Sequence, residues 1–192
     1  MAKRLKIYTT TGDKGETSLY SGDRVEKSHV LIKALGAIDK CNSAIGLVVT
    51  YMQEDESLTD LSEQLIYIQS KLFDLGAAVA TPRKWASEKK QDNTNFSIDY
   101  TRQLEKWIDS MDGEIEPLTQ FILPGGHIIA SQVHIARSIT REAESFITSI
   151  FKDHQVEYPT MCFLNRLSDY LFTLARVVNK RKNVPEPKWK KD

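Results

Sequence analysis

The sequence is poor in cysteine, with only Cys41 and Cys162 among its 192 residues. Two cysteines so far apart exclude a disulfide framework and a CxxC metal site. No apolar run approaches the roughly 20 residues of a transmembrane helix, and the formal net charge is zero because 26 basic residues balance 26 acidic ones. We therefore predict no membrane partner and no nucleic-acid partner, and we expect any anion site to be local.

Common catalytic patterns are missing as well. The sequence lacks an HExxH zinc motif, a GxSxG nucleophile elbow, a Walker P-loop and a dinucleotide fingerprint. Each of the four histidines is therefore expected to be structural or on the surface. The first residues, Met1 to Lys6, have no apolar stretch typical of a secretory signal. We expect a cytoplasmic protein, or a mitochondrial-matrix protein if a presequence has been removed.

Apolar residues recur at helical spacing over most of the chain, and this pattern predicts five helices. They cover about residues 30–52, 61–79, 100–111, 128–151 and 159–178. The polar stretch 83–95 is interpreted as an exposed loop. Without convincing alternating strands, the pattern favours an all-α five-helix bundle in a single domain over residues 1–192. Within it, residues 1–27 are predicted as loop or short extended structure, 28–180 as the bundle and 181–192 as a loose charged tail.

The segment from Thr9 to Thr17 has the ingredients of a phosphate cradle. Its glycines let backbone N–H groups turn toward an anion, its threonine hydroxyls donate hydrogen bonds, and Lys14 adds a positive charge. By composition alone, an ordinary turn is the better explanation of this segment.

Two of the predicted helices carry polar side chains on one face. On the fourth they are His134, Arg137, Arg141 and Glu144, and on the fifth they are Asn165 and Asp169, with Phe172 and Arg176 at similar spacing. Two arginines one turn apart suit a phosphate or a carboxylate. A solvated face with ion pairs, or polar groups satisfied at a helix interface, would explain the same patterns without a site.

Eight short motifs follow one another from Tyr8 to Phe172. They read YTTTGDKG at 8–15, GDRVEK at 22–27, GAID at 36–39, NSAIG at 42–46, ATP at 80–82, FILPGG at 121–126, HIAR at 134–137 and NRLSDYLF at 165–172. Each motif is weak alone, but in this order they make the chain resemble the PduO-type ATP:cob(I)alamin adenosyltransferases. The resemblance implies a five-helix homotrimer with active sites between subunits. The implied reaction moves the 5′-deoxyadenosyl group of ATP to the cobalt of cob(I)alamin, giving adenosylcobalamin and tripolyphosphate.

The resemblance also implies roles for individual residues. The implied ATP site consists of Thr9, Thr10, Thr11, Gly12, Asp13, Lys14, Gly15, Thr17 and Lys27 of one subunit, with Arg141, Glu144 and Asn165 of its neighbour. Asp39 would pair with Arg137 across the interface. Phe121 would lie under the corrin ring, and Phe172 would join it in the cobalamin site. The implied catalytic set is Arg141, Phe121, Asp39 and Arg137.

The reaction suits these side chains. Negative charge develops on the leaving tripolyphosphate, where Lys14, Lys27, Arg141 and Mg²⁺ can stabilise it. We expect Mg²⁺ to be held mainly by the ATP phosphates, and its protein ligands are unknown. An apolar Phe121 can displace the lower axial ligand of cobalt, which makes reduction to cob(I)alamin easier. The implied partners are a cob(II)alamin reductase and a B12-dependent enzyme that receives the product.

Two short runs depart from the family pattern. The family has Asp-Glu-Leu where this chain has Asp39-Lys40-Cys41, and Arg-Arg-Ala-Glu-Arg where this chain has residues 141–145, REAES. A negative charge at Glu142 near phosphate would weaken ATP binding, and Lys40 is a candidate to compensate. These departures leave an alternative function open, a non-catalytic ATP- or corrinoid-binding paralogue that acts as a carrier or sensor.

Overall fold

The computed structural model describes Tyr8 and residues 10–153 and 155–190. Thr9, one of the implied ATP ligands, lies outside the described residues. A short antiparallel hairpin comes first, formed by β1 (Glu16–Ser18) and β2 (Arg24–Glu26). The helices that follow are α1 (Val30–Met52), α2 (Thr59–Val79), α3 (Glu88–Asn93), α4 (Asp99–Asp112), α5 (Ile128–Lys152) and α6 (Tyr158–Arg181). The five long helices confirm the predicted all-α bundle.

The long helices close around one apolar core. Helix α1 packs between α2 and α5, and α6 packs against both α5 and α4. The largest fully buried side chains include Tyr170, Phe96, Phe163, Leu31, Ile45 and Met52. Burying a side chain of this size stabilises the fold by about 1.5–3 kcal/mol. In the described part of the chain, no helix is long and apolar enough to cross a membrane.

Histidine side chains cap two of the long helices. The first backbone N–H groups of a helix have no partner within it, so a side-chain acceptor just before the helix stabilises it. His29 Nδ1 accepts a hydrogen bond from the Leu31 amide at 3.2 Å, and His127 Nδ1 accepts from the Ile129 amide at 3.3 Å. These two histidines therefore have a structural role at the starts of α1 and α5.

The prediction of a loop over residues 83–95 is wrong in part, because α3 occupies Glu88–Asn93. None of its residues is buried, so the helix leaves no apolar stripe in the sequence. It is fixed by side-chain hydrogen bonds instead. Lys90 Nζ donates to the carbonyl oxygens of Tyr20 at 3.2 Å and Ser21 at 2.7 Å, in the turn between β1 and β2. Helix α3 therefore supports the N-terminal hairpin.

The prediction of a loose tail over residues 181–192 is wrong for the residues that the structure describes. Arg181 still belongs to α6, and its Nη1 lies 2.6 Å from Asp60 Oδ1. Beyond it, the chain returns antiparallel to the segment around residue 122, where Ile122 and Lys188 form a β-bridge. The charged composition indicated a solvated end, but backbone hydrogen bonds form regardless of side-chain charge.

The turn before α5 depends on Asn179 of α6, which is 1% exposed. Its Oδ1 accepts from the His127 amide at 2.8 Å, and its Nδ2 donates to the Gly125 carbonyl at 3.1 Å. Gly126 has φ +101, in the left-handed region that favours glycine, and a Cβ added there would overlap the Asn179 amide. The PGG break is therefore shaped by a buried amide on another helix.

Replacing Gly126 with alanine should lower the free energy of unfolding by roughly 2–4 kcal/mol, because strain at positive φ adds to the clash with Asn179. The matched control is Gly76→Ala in α2, where an added Cβ meets no atom within 4 Å. That substitution should stabilise the helix by up to about 1 kcal/mol. Denaturant unfolding of both variants measures these effects. Equal free energies of unfolding in the two variants would contradict this account of the turn.

Candidate functional site

The threonine- and glycine-rich loop folds into two successive turns. The Asp13 amide donates to the Thr10 carbonyl at 3.2 Å, and the Gly15 amide donates to the Gly12 carbonyl at 3.3 Å. Thr10 and Gly15 both have a positive φ angle, 59° for Thr10 and 86° for Gly15. Turns of this kind can direct backbone amides toward an anion.

The hairpin holds this loop and brings a second cation to it. The Lys27 amide donates to the Gly15 carbonyl at 2.8 Å. A Cβ at Gly12 would lie 3.3 Å from Lys27 Nζ, so the ammonium group lies directly over that glycine. Arg24 donates to the Thr11 carbonyl at 3.1 Å and also pairs with Glu16. The structure therefore brings Lys27 to the loop that contains Lys14, and Thr17 follows in β1.

Arg141 and Glu144 line an open, polar cleft of about 670 Å³ on α5. Glu144 Oε1 accepts a hydrogen bond from Asn165 Nδ2 of α6 at 2.8 Å, so the three residues predicted to act together do lie together. The remaining lining residues are Ser145, Thr148, Ser149, Lys152 and Asp153. The cleft thus offers two cations, two carboxylates and several hydroxyl groups along one helix face.

The loop and the cleft are separate features of one chain. Every residue that lines the cleft belongs to α5 or directly follows it, and the loop contributes none of them. In the described part of a single chain, the two halves of the predicted ATP site therefore do not line one common cleft.

Phe121 and Phe172 line the same apolar pocket, of about 470 Å³, together with residues 118–120 and Ile122. Phe121 stands 78% exposed, which is unusual for a side chain of this size. A pocket of this shape and lining suits a flat apolar ligand surface. The structure thus brings together the two phenylalanines that the motifs assign to cobalamin.

Asp39 and Arg137 do not meet within the chain. Asp39 is exposed on α1, and in the described part of the chain no hydrogen bond or ion pair joins it to Arg137. The Nε of Arg137 is buried without a hydrogen-bond partner. Burial lowers the pKa of Arg137, and the nearby charge of Arg141 lowers it further. The half-buried guanidinium of Arg137 therefore has no acidic partner among the described residues.

His134 is a buried member of the same face that the motif analysis left without a role. Neither ring nitrogen has a hydrogen-bond partner, and the ring lies 6.2 Å from the Phe172 ring. Burial, and secondarily the charge of Arg137, lower the pKa of His134, so the imidazole is neutral at pH 7. Its packing against Phe172 makes it part of the wall behind the apolar pocket.

The two departures from the family pattern meet in the structure. Lys40 Nζ lies 2.8 Å from Glu142 Oε2, joining α1 to α5 across the bundle surface. The next residue, Cys41, packs against Thr140 with 3.1 Å between Sγ and Oγ1, and burial raises the pKa of its thiol to about 11. Glu142 is therefore paired with Lys40. Its carboxylate is directed to a lysine on the neighbouring helix.

Sequence reasoning missed two residues around these features. Arg24 supports the loop, and Lys152 adds a cation to the cleft. For Trp189 the sequence left open closure over the corrin or disorder in the tail, with disorder favoured; in the structure its ring lies against Phe121, with ring centres 6.3 Å apart. Arg24 belongs to the GDRVEK motif at 22–27, and that motif was the signal that could have identified it. In the described residues, no cluster of three His, Cys, Asp or Glu side chains could hold a metal ion.

The chain is similar to known proteins over nearly its full length. Residues 7–178 match the family model described as "Cobalamin adenosyltransferase". The chain is 39% identical to the corrinoid adenosyltransferase MMAB of Bos taurus, over 97% of this chain and 77% of that one. It is also 39% identical to the corrinoid adenosyltransferase of Bacillus subtilis, over 97% and 93%. A solved variant of a PduO-type ATP:corrinoid adenosyltransferase from Lactobacillus reuteri, complexed with cobalamin and ATP, has a TM-score of 0.88 at 34% identity, covering 97% of this chain and 100% of that one.

The Lys40–Glu142 contact predicts that the two departures are coupled. Lys40→Glu or Glu142→Arg alone should each destabilise the fold by up to about 1 kcal/mol, because like charges then face each other on an exposed surface. The double exchange should recover most of that loss. Denaturant unfolding of the four proteins measures the coupling, with the exposed Ser145→Arg as a control that changes stability by less than about 0.5 kcal/mol. Additive single effects would contradict the coupling.

Proposed function

Because the chain belongs to the cobalamin adenosyltransferase family, we propose that it transfers the 5′-deoxyadenosyl group of ATP to the cobalt of cob(I)alamin. The products are adenosylcobalamin and tripolyphosphate. The observation that carries the proposal is the combination of an apolar pocket, which has an exposed phenylalanine at its edge, with a polar cleft that contains Arg141 and a loop beside which Lys27 lies. A helical bundle needs neither for its stability.

The chemistry needs electrostatic help rather than a base. The electron pair on Co(I) attacks the ribose C5′, the Co–C bond forms, and the C5′–O bond breaks with its electrons on tripolyphosphate. No proton changes place in this step. Lys14, Lys27 and Arg141 stabilise the charge that develops on the leaving group. The absence of a histidine-centred constellation from the sequence agrees with this requirement.

Phe121 serves the step that precedes transfer. An exposed aromatic ring at the mouth of the pocket excludes the lower axial donor from cobalt when corrin enters. Loss of that donor raises the reduction potential of the Co(II)/Co(I) couple, because axial ligation is one of the main influences that a protein has on the potential of a bound metal. Phe172, supported from behind by His134, forms another part of the same surface.

The active site lies between subunits of a homotrimer in this proposal. Two observations support a second copy. The loop contributes nothing to the cleft that contains Arg141, and the half-buried Arg137 has no ion-pair partner in the described chain, while Asp39 is exposed. An Asp39 from the neighbouring subunit would supply the missing counter-charge.

Mg²⁺ accompanies ATP and is held mainly by its phosphates. This fits the chemistry of the donors, since magnesium in phosphate-transfer sites usually retains waters and takes few protein ligands. The proposed compartment is reducing, the cytoplasm or the mitochondrial matrix, which suits both cob(I)alamin and the two free cysteines. A cob(II)alamin reductase and a B12-dependent enzyme are the proposed partners.

The second candidate, a carrier or sensor that binds ATP or corrinoid without turnover, rested on Glu142 and Ser145. The pairing of Glu142 with Lys40 weakens the electrostatic argument for it, because the carboxylate has a cation beside it. Ser145 still supports it, because the family pattern has an arginine at this position and the cleft therefore has one cation fewer. Binding of ATP without product under strict reduction would favour this candidate.

Anaerobic incubation with ATP and reduced cobalamin should yield adenosylcobalamin, measured by its visible spectrum, with tripolyphosphate as the second product. Phe121→Ala and Arg141→Ala should each lower kcat/KM by about 100-fold, a loss of transition-state stabilisation of roughly 2.7 kcal/mol. The matched control for the first is Phe73→Ala, since Phe73 is an equally exposed phenylalanine on α2 at 74%. Equal losses in Phe121→Ala and Phe73→Ala would contradict the assignment of Phe121.

The trimer should be seen by sedimentation velocity as a species of three times 21.9 kDa. Asp39→Arg should shift it toward smaller species, because two cations would then face each other at the interface. Combining Asp39→Arg with Arg137→Asp should restore the trimer. A monomer at micromolar concentration of the unsubstituted chain would contradict the shared site.

A further inference from the structure

We infer that Arg176 and Glu186 are positioning residues that hold Phe121 at the corrin pocket through the C-terminal segment 184–189, which we call the strap. The inference rests on the proposed function, since it explains how that pocket keeps its shape. We call the ion pair between Arg176 and Glu186 the latch.

Phe121 needs external support because its own side chain supplies little. Its ring is mostly exposed, and the segment from residue 113 to 127 contains no helix. The strap provides the missing contacts. Trp189 donates its amide to the Phe121 carbonyl at 2.9 Å, and the Leu123 amide donates to the Pro187 carbonyl at 2.7 Å. These bonds fix the main chain on both sides of Ile122, the residue that follows Phe121.

A ribbon of two such bonds is not stable alone in water. The strap must therefore be fastened to the bundle, and the latch is where this happens. Arg176 Nε lies 3.0 Å from Glu186 Oε1, and the Arg176 side chain is only 8% exposed. The same guanidinium donates to the Glu116 carbonyl at 2.8 Å. One buried arginine thus fastens both the strap and the start of the segment that contains Phe121.

The position of the latch on α6 connects it to the pocket directly. Arg176 lies four residues after Phe172, so the two side chains occupy successive turns of one helix face. Phe172 and Phe121 line the pocket, and Arg176, Glu186 and Lys188 line the adjoining cavity of about 350 Å³ with residues 116–120. The planar, five-donor guanidinium can hold two segments at once in a fixed geometry.

Hydrogen exchange of the full-length protein tests the latch without any ligand. In the unsubstituted protein, the amides of Leu123 and Trp189 should be protected. In Glu186→Ala they should exchange at least tenfold faster, while amides in the middle of α1 and α5 keep their protection. Asp74→Ala is the matched control, since it removes an exposed carboxylate paired with Lys71 on α2. Unchanged exchange at Leu123 and Trp189 in Glu186→Ala would overturn the inference.

A second variant separates the latch from the ring contact between Trp189 and Phe121. Trp189→Ala removes the ring but leaves the ion pair, so the Leu123 amide should stay protected. If Trp189→Ala loosens Leu123 as much as Glu186→Ala does, the aromatic contact holds the strap and the latch is not needed. Glu186→Gln, which retains an acceptor for the Arg176 Nε–H, should give an intermediate exchange rate.

Steady-state kinetics connect the latch to the corrin pocket. Glu186→Ala should raise the KM for cob(I)alamin at least fivefold and leave the KM for ATP within twofold, because the strap contacts only the Phe121 side of the site. An equal rise in both KM values would indicate general loosening and overturn the positioning role. If the unsubstituted protein forms no adenosylcobalamin, the proposed function fails, and hydrogen exchange still decides whether the latch exists.

Discussion

Helix α5 buries a stripe of small and aliphatic side chains between α1 and α6, and the candidate sites depend on that packing. The stripe includes Val133, Ala136, Thr140, Ala143 and Ile147, all of them buried. Small residues allow neighbouring helices to approach closely, and the direction of each side chain around α5 is then fixed. The polar face is displaced from this stripe by a single position. Burial of the stripe therefore decides where the arginines and Glu144 point.

This constraint explains why the grouping of the predicted polar residues could be read from the sequence. The stripe and the polar face have the same spacing, so a prediction of the stripe also places the polar face, and the contact between Asn165 and Glu144 follows from two adjacent helices. By composition the segment at residues 10–15 favoured an ordinary turn, which agrees with the turns in the structure, and its role in binding phosphate was implied by the motif resemblance. The pairing of Phe121 and Phe172 in one pocket came from the motifs, since no periodicity joins a loop residue to a helix residue.

The features that were missed share a physical cause. Helix α3 has no buried side chain, so hydrophobic periodicity could not reveal it. The strap is charged and contains prolines, yet it is ordered by a buried arginine ten positions before Glu186 and by backbone bonds to the distant residues Phe121 and Leu123. Lys40 and Glu142 are 102 positions apart, and only the packing of α1 on α5 shows that they touch. Contacts between distant parts of the chain are set by the tertiary fold, which local patterns do not encode.

The Lys40–Glu142 contact also bears on how sequences of this family are compared. Relative to the family pattern, both ends of the contact carry the opposite charge, so exchanging either residue alone would place two like charges opposite each other. On an exposed surface such a single exchange costs little stability. Residues 40 and 142 are therefore best compared as a pair. Counting arginines at position 142 alone would record a lost cation and overlook the ion pair that Glu142 forms with Lys40.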